Sequence, residues 1–336
     1  MVIPLYRCSS PPLELKGNVG LWYDKFCDKW REDWTGLVDK GKNDWINAVV
    51  LKGEIGDENL LREIAERRNA HLSAMGGTAL RFRTKGPFVT GLGRSHPVEN
   101  GFSWHHSLGV PYLPGSSVKG MVRSWATKWN NLEDEADEIF GPENSTKVGS
   151  VIFLDAIPVQ PVKLKMEIMT PHYGPYYTET TKYPEPPADW HSPVPIPFLA
   201  VDAEQEFLFG LIPRDEHTEK CQKAGEWLKE ALQKIGAGAK TAVGYGRFDY
   251  FDLTSPGLEW LEEQASRHRM SIEDFAKDRF NPLASDWAAI EDPNLKASVY
   301  KEIKRIYQEI GYWTSAPTKE RKKVIEKYYK AWEGGR

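Results

Sequence analysis

Gly109-Val110-Pro111-Tyr112-Leu113-Pro114-Gly115-Ser116-Ser117-Val118-Lys119-Gly120-Met121-Val122-Arg123 reads as a strand end, a tight turn and an abrupt helix start. Ser116 and Ser117 are both good N-cap residues. Val118, Met121, Val122 and Trp125 repeat at helical spacing, which predicts a helix ending near Asn130. Lys119 and Arg123 stand four apart and share another face. Cations this early in a helix oppose the macrodipole, which favours acids there. Free N–H groups, two hydroxyls and two cations together suit an anion, with phosphate the expected one.

The segments around this helix supply a sheet. Upstream, Leu80-Arg81-Phe82-Arg83-Thr84-Lys85 alternates apolar and polar residues, the period of a half-buried strand. A glycine-rich loop over 91–101 and a short strand before Pro111 follow it. Downstream, 149–159 is strand-like and 163–168 alternates cleanly. Residues 198–211 read as one strand and 216–235 as a helix with Cys221, Ala224, Trp227, Leu228 and Ala231 on one face. A second glycine-rich segment, 236–246, precedes a last strand over 247–253. Strand, helix, two strands, strand, helix, strand is a split βαβ, or ferredoxin-like, α+β plan. Between the middle strands, eight prolines fall in 171–197 together with Tyr173, Tyr176, Tyr177 and Tyr183. So long a loop inside a compact domain is functional or an insertion.

Outside this core, 1–78 is a mostly helical lead-in. Trp22, Phe26 and Trp30 fall four apart within 21–34, and Leu60, Leu61, Ile64, Ala65 and Leu72 share a face in 59–75. A helical extension covers 254–336, with Tyr300, Ile303, Ile306, Tyr307 and Ile310 in one stripe. Three regions are thus expected: 1–78, 79–253 and 254–336. The many tryptophans at helical spacing are expected in the core.

The 336 residues carry a net charge of −4, which argues against coating nucleic acid by bulk charge. Charge is nevertheless uneven. Residues 79–128 hold seven cations (Arg81, Arg83, Lys85, Arg94, Lys119, Arg123, Lys128) and one acid, Glu99. Such a run suits a basic face for a polyanion, or an ordinary solvated face with acids supplied by 133–138. Cys8, Cys27 and Cys221 match no zinc spacing, and His105-His106 lacks further ligands at an informative spacing, so no metal or cofactor is expected. No leader or membrane-length apolar run is evident, and the expected compartment is the cytoplasm.

Residues 236–247 contain Lys240-Thr241 but follow a helix and precede a strand, the reverse of a P-loop. Their glycines suit either close approach to a phosphodiester backbone, with Lys240 and Arg247 adding charge, or a turn demanded by helix–strand packing. In the loop over 91–101, Arg94 and His96 read as contact residues. His96 with Glu99 is the one acid–base pair a ribonuclease reading has to use. The proline–tyrosine insertion reads as a hairpin whose aromatics stack on bases or as a protein-contact arm. Asp155, on a predicted strand, reads as a structural hydrogen-bonding acid.

Taken together, the Pro-Gly-Ser-Ser-x-Lys-Gly core with Arg123, Phe153-Leu154-Asp155-Ala156 and the late glycine-rich loop resemble the RAMP superfamily of CRISPR systems. Within it, residues 96–101 and 169–173 resemble the sixth-subunit family of the type III-B Cmr effector complex. The resemblance implies a modified RRM-like fold with a β-hairpin thumb at about 170–197, bearing His172, Tyr173, Tyr176 and Tyr177. It implies a guide-RNA groove touched by Ser116, Ser117, Lys119, Arg123, Gly238, Lys240 and Thr241, to which the reading of the two glycine-rich loops adds Arg94, His96, Gly236, Gly244, Tyr245 and Arg247 as RNA contacts. It further implies crRNA, complementary target RNA, a backbone RAMP and other Cmr subunits as partners, with no membrane. The loop before Pro111-Tyr112-Leu113-Pro114-Gly115 lacks the Asp that backbone RAMPs use for target cleavage. The expectation is therefore a non-catalytic RNA-binding subunit at the guide's 3′-end side, with an endoribonuclease of the same fold as the alternative.

Overall fold

A computed structural model describes residues 12–14, 16–142, 146–178, 185–188, 190–214, 218–250, 256–278 and 280–309. The chain divides into two compact units, Met1–Phe251 and Asp252–Arg336.

The first unit starts with α1 (Val19–Lys25), α2 (Gly41–Val50) and α3 (Glu58–Ala74). Side-chain oxygens of Asn18 and Asp57 accept from the third amide beyond them and cap α1 and α3. The helix expected over 21–34 stops at Lys25. Beyond it Asp33 accepts from the Thr35 amide, Trp34 adopts φ +60°, and Trp30 bridges Leu37. Local turn chemistry there overrides the four-residue aromatic spacing.

The core strands are β1 (Thr78–Thr84), β4 (Val151–Phe153) with its continuation β5 (Ile157–Pro158), β8 (Glu206–Pro213) and β9 (Phe248–Tyr250). Between them lie a small hairpin, β2 (Ser95–His96) and β3 (Glu99–Asn100), and then α4 (Gly115–Ser124), which runs on as a π-turn over Trp125–Trp129. The acidic α5 (Glu133–Phe140) follows. A two-stranded arm comprises β6 (Leu164–Met169), α6 (Gly174–Thr178) and β7 (Ile196–Val201). After β8 comes α7 (Thr218–Lys234). The sheet order is β4-β8-β1-β9, with every pair antiparallel. Two crossovers, β1–α4–β4 and β8–α7–β9, interleave in the ferredoxin-like manner.

The strand expected over 198–211 is two strands in different sheets. β7 pairs β6 in the arm, whereas β8 lies at the centre of the core sheet. The break at 202–205 is built from polar groups. The Thr84 hydroxyl donates to the Asp202 carbonyl and accepts from the Gln205 amide, and the Gln205 side chain donates to the Ala203 carbonyl. Glu204 sits in the left-handed region at φ +61°. Period-2 hydrophobicity cannot register such a break, because apolar residues resume at once on both sides. The arm's two strands border the expected thumb at about 170–197, part of which, Tyr183 included, lies outside the described residues.

Both faces of β8 are covered, which explains its unbroken burial from Phe207 to Pro213. One face meets α7, where Gly225 lets the helix approach Leu80 and Leu211. The other meets α3, with Ala65 against Leu208 and Val159, and Leu72 over Gly210. Phe82, Phe207, Phe209 and Phe248 fill the centre, with Phe82 edge-on to Phe209 at 5.1 Å.

The second unit contains α8 (Pro256–Arg267), α9 (Ile272–Asp278), α10 (Phe280–Ala288) and α11 (Pro293–Glu309) around Leu261, Phe275, Leu283, Ile303 and Tyr307. The Tyr307 hydroxyl donates to the Ala276 carbonyl at 2.9 Å. Of the predicted stripe, Ile310 lies outside the described residues.

Leu72 is 1% exposed and closes the α3 face of the sheet. Leu72→Ala is expected to lower stability by about 3 kcal/mol, measured by urea unfolding followed at tryptophan emission.

Candidate nucleic-acid interface

The start of α4 is built differently from its sequence reading. Pro114 takes the cap position, and Ser116 and Ser117 fall inside the first turn. The Pro114 carbonyl accepts from the Ser117 and Val118 amides. The Gly115 amide donates to Asp155 Oδ1 at 2.7 Å, and a Cβ on Gly115 would lie 2.2 Å from the Phe153 carbonyl oxygen. The anion expected at this helix start is therefore internal: Asp155 sets its charge against the macrodipole. Arg68 in turn donates to the Asp155 carbonyl. This is the structural role the sequence suggested for Asp155.

Beyond that first turn, α4 has three faces. Val118, Val122 and Trp125 enter the core. Ser117, Met121 and Ser124 line an open cleft of about 1030 Å³. Lys119 and Arg123 point elsewhere, outside the cleft lining. Lys119 has its pKa lowered by partial burial and by the neighbouring Arg123 and Arg214. Arg123 lies 3.4 Å from Asp137.

The cleft is larger than most small-molecule pockets, which run to about 1,000 Å³. Its lining comes mainly from three segments: 90–94, the second face of α4 with Trp129, and 234–239 with Thr241, Ala242 and Arg247. Arg94, Lys234 and Arg247 contribute positive charge, and no carboxylate lines it among the described residues. Arg247 Nη1 is buried without a hydrogen-bond partner among the described residues. That nitrogen is enclosed against Gly236, while the guanidinium as a whole adds charge to an acid-free wall.

The late glycine-rich loop packs on the strand exit at 87–90. The Ala239 amide donates to the Val89 carbonyl, the Gly246 amide to Pro87, and the Ala237 amide to Gly246. Gly238 has φ +82°, and a Cβ there would sit 2.1 Å from the Val89 carbonyl oxygen. Helix–strand packing therefore accounts for this glycine, one of the two alternatives the sequence left open. The same loop still turns Thr241 and Ala242 toward the cleft, and their amides donate to no backbone carbonyl among the described residues. Lys240 holds its ammonium 5.3 Å from the Phe198 ring centre, outside the lining. Tyr245 donates to Glu167 on β6 at 3.0 Å; burial, then Glu167, push its pKa up to about 12. That bond ties the loop to the arm. Between β6 and β7, Tyr176, Tyr177 and His172 are exposed.

His96 is corrected from a surface contact to an internal strut. Its side chain is 3% exposed and stacks on Tyr23 at 4.6 Å. Nε2 lies 3.1 Å from the Tyr23 carbonyl, while Nδ1 accepts from the Val98 amide. Glu99 pairs with Lys42, so the acid–base pair considered for cleavage is not assembled. His105 likewise uses Nδ1 to accept from the Leu108 amide. No cluster of three metal-ligating side chains occurs among the described residues.

The basic run of 79–128 is also partly an internal pairing. Arg83 meets Glu206 at 2.8 Å and Glu204 at 3.6 Å, and Lys85 meets Asp249 at 3.7 Å. These acids come from distant sequence, which a local charge count cannot register. Sequence reasoning missed Lys234 and Trp129, both on the cleft wall. Trp129 was expected in the core but is 62% exposed.

Burial holds the His96 pKa down at about 4, against an ordinary 6.5. In that window the unfolded chain binds a proton that the folded chain excludes, so stability falls as pH falls. The loss attributable to His96 reaches about 3 kcal/mol at the lower end. Urea unfolding across the window is expected to show a shallower pH dependence for His96→Gln than for the wild type.

A family model described as the RAMP superfamily matches residues 81–249, from β1 to β9. The chain is 31% identical to the CRISPR system Cmr subunit Cmr6 of Pyrococcus furiosus, over 50% of this chain and 66% of that protein. It is 30% identical to the Cmr6 subunit of Saccharolobus solfataricus, over 45% and 49% of the two chains. The chain thus spans about half to two thirds of the curated relatives it matches. A chain in the cryo-EM structure of type III-B Cmr-beta bound to cognate target RNA shares the fold at a TM-score of 0.51. The two are 24% identical, over 64% of this chain and 72% of that one. With the family match covering half its length and bounded by the first and last strands of the core sheet, this chain belongs to the RAMP superfamily.

Proposed function

We propose that this protein is a non-catalytic guide-RNA-binding subunit of a type III-B CRISPR ribonucleoprotein. The observation that carries the reading is the cleft, which three segments wall with Arg94, Lys234 and Arg247 and no described carboxylate. Phosphodiesters suit such a surface: the cations give long-range attraction and the Thr241 and Ala242 amides give local donors. The similarity to Cmr6 subunits supplies the assembly. In this reading the chain sits at the guide's 3′-end side, beside a backbone RAMP and other Cmr subunits, in the cytoplasm. The arm, held to the glycine-rich loop through Tyr245 and Glu167, shapes the guide–target duplex with Tyr176 and Tyr177. No described helix is long and apolar enough to cross a membrane.

The ribonuclease alternative relies on His96 and Glu99, and their separate engagements with Tyr23 and Lys42 count against it. Labelled single-stranded RNA is expected to survive incubation with the wild-type chain intact. Cleavage abolished by Glu99→Gln would restore the alternative.

Binding of labelled single-stranded RNA is expected to weaken steeply with salt. Each of Arg94→Gln, Lys234→Gln and Arg247→Gln is expected to flatten the plot of log affinity against log salt by about 0.7. Absence of RNA binding by the wild-type chain at low salt overturns the proposal.

A further inference from the structure

The helix that carries Ser117, Met121 and Ser124 along the cleft does not end as an α-helix. Over Trp125–Trp129 it widens into a π-turn. At α-helical spacing the next residue on the cleft face after Ser124 is Lys128, four further on. The five-residue π step brings Trp129 onto that face instead, and Trp129 lines the cleft where Lys128 does not. Single π-turns are rare and frequently sit at functional sites. Here the turn is locked from both sides. The Thr127 hydroxyl donates back to the Arg123 carbonyl, the Asn130 amide group donates to the Trp125 carbonyl, and Asn131 leaves the helix at φ +53°.

The result is a large aromatic side chain held 62% exposed beside a cationic cleft. Its rigidity comes from Trp125, whose ring lies nearly parallel at 26° and 6.0 Å between centres. Trp125 itself is buried and carries the Lys234 ammonium 5.3 Å from its ring centre. Trp129 and Lys234 are thus fixed through one shared partner, and both face the same space. Water is a poor occupant for an exposed indole. The acid-free cationic wall selects a ligand that combines an anion with a flat apolar face.

We infer that Trp129 is a base-stacking platform, where one nucleobase of bound single-stranded RNA lies on the indole while its phosphate meets Lys234. This rests on the proposed RNA-binding function and deepens it, since it names a base contact in a groove otherwise read as holding the backbone. Stacking needs only a π-face, so the platform tolerates any base, as a guide of variable sequence demands.

The test uses the full chain and a labelled, mixed-sequence oligoribonucleotide, with a ribose-phosphate oligomer of equal length lacking bases as the second probe. Trp129→Ala is expected to weaken RNA binding about tenfold or more, the usual loss for one base–aromatic stack, without changing the salt slope. Trp129→Phe is expected to retain most of the affinity. The base-free oligomer is expected to bind wild type and Trp129→Ala alike. Equal RNA affinity for wild type and Trp129→Ala, or an equal loss toward the base-free oligomer, overturns the inference while leaving the groove reading intact. A wild-type chain that ignores RNA overturns the groove reading itself, and the platform with it. Because Trp129 is exposed, unchanged urea unfolding of the variants separates lost stacking from lost fold.

Discussion

The backbone of residues 237–246 lies directly on the backbone of 87–90, with the Ala239 amide on the Val89 carbonyl and no room for a side chain at Gly238. That approach ties the loop that follows α7 to the segment that follows β1. The cleft is the space left between them and the second face of α4. Lys234, Thr241 and Arg247 reach one wall because of it, and Gly91 and Arg94 the other. A bulkier residue at position 238 would part the two segments that the site needs together.

Covering the sheet on both sides has a second consequence. In an RRM the open sheet face presents aromatics on which bases stack. Here α3 lies over that face through Ala65 and Leu72, and β8 is buried from Phe207 to Pro213. In the proposed function, recognition moves from the sheet face to the cleft, whose lining offers cations and the amides of Thr241 and Ala242. An exposed indole at the end of α4 adds a flat apolar surface, and a helix of regular pitch would have placed Lys128 there.

Charge is distributed on the same principle. The chain is acidic overall, and cations outside the cleft lining find acids: Arg83 meets Glu206, Lys85 meets Asp249 and Arg123 meets Asp137. Asp155 satisfies the start of α4 from within, so the helix needs no external anion to be stable. On the cleft wall, by contrast, Arg94, Lys234 and Arg247 stand with no carboxylate among the described lining residues. Local imbalance inside an acidic protein favours binding at one place over coating by bulk charge.

Periodicity determined most of the elements. The alternation of β1, the apolar stripes of α3 and α7, and the abrupt break at Pro114-Gly115 each follow from side-chain geometry within a few residues. The α+β plan follows from their order. The motifs Pro-Gly-Ser-Ser-x-Lys-Gly and Phe-Leu-Asp-Ala were legible in the same way. Tertiary structure decided everything that depends on contacts between distant segments. It divided 198–211 between two sheets through Thr84, buried His96 against Tyr23, and turned Lys119 and Arg123 away from the cleft that Ser117 enters. It also set Trp129 outside the core, because one extra residue in a helical turn rotates everything after it. The physical reason is common to all four. Sequence spacing specifies which residues share a face, but the identity of what that face meets is a long-range packing outcome.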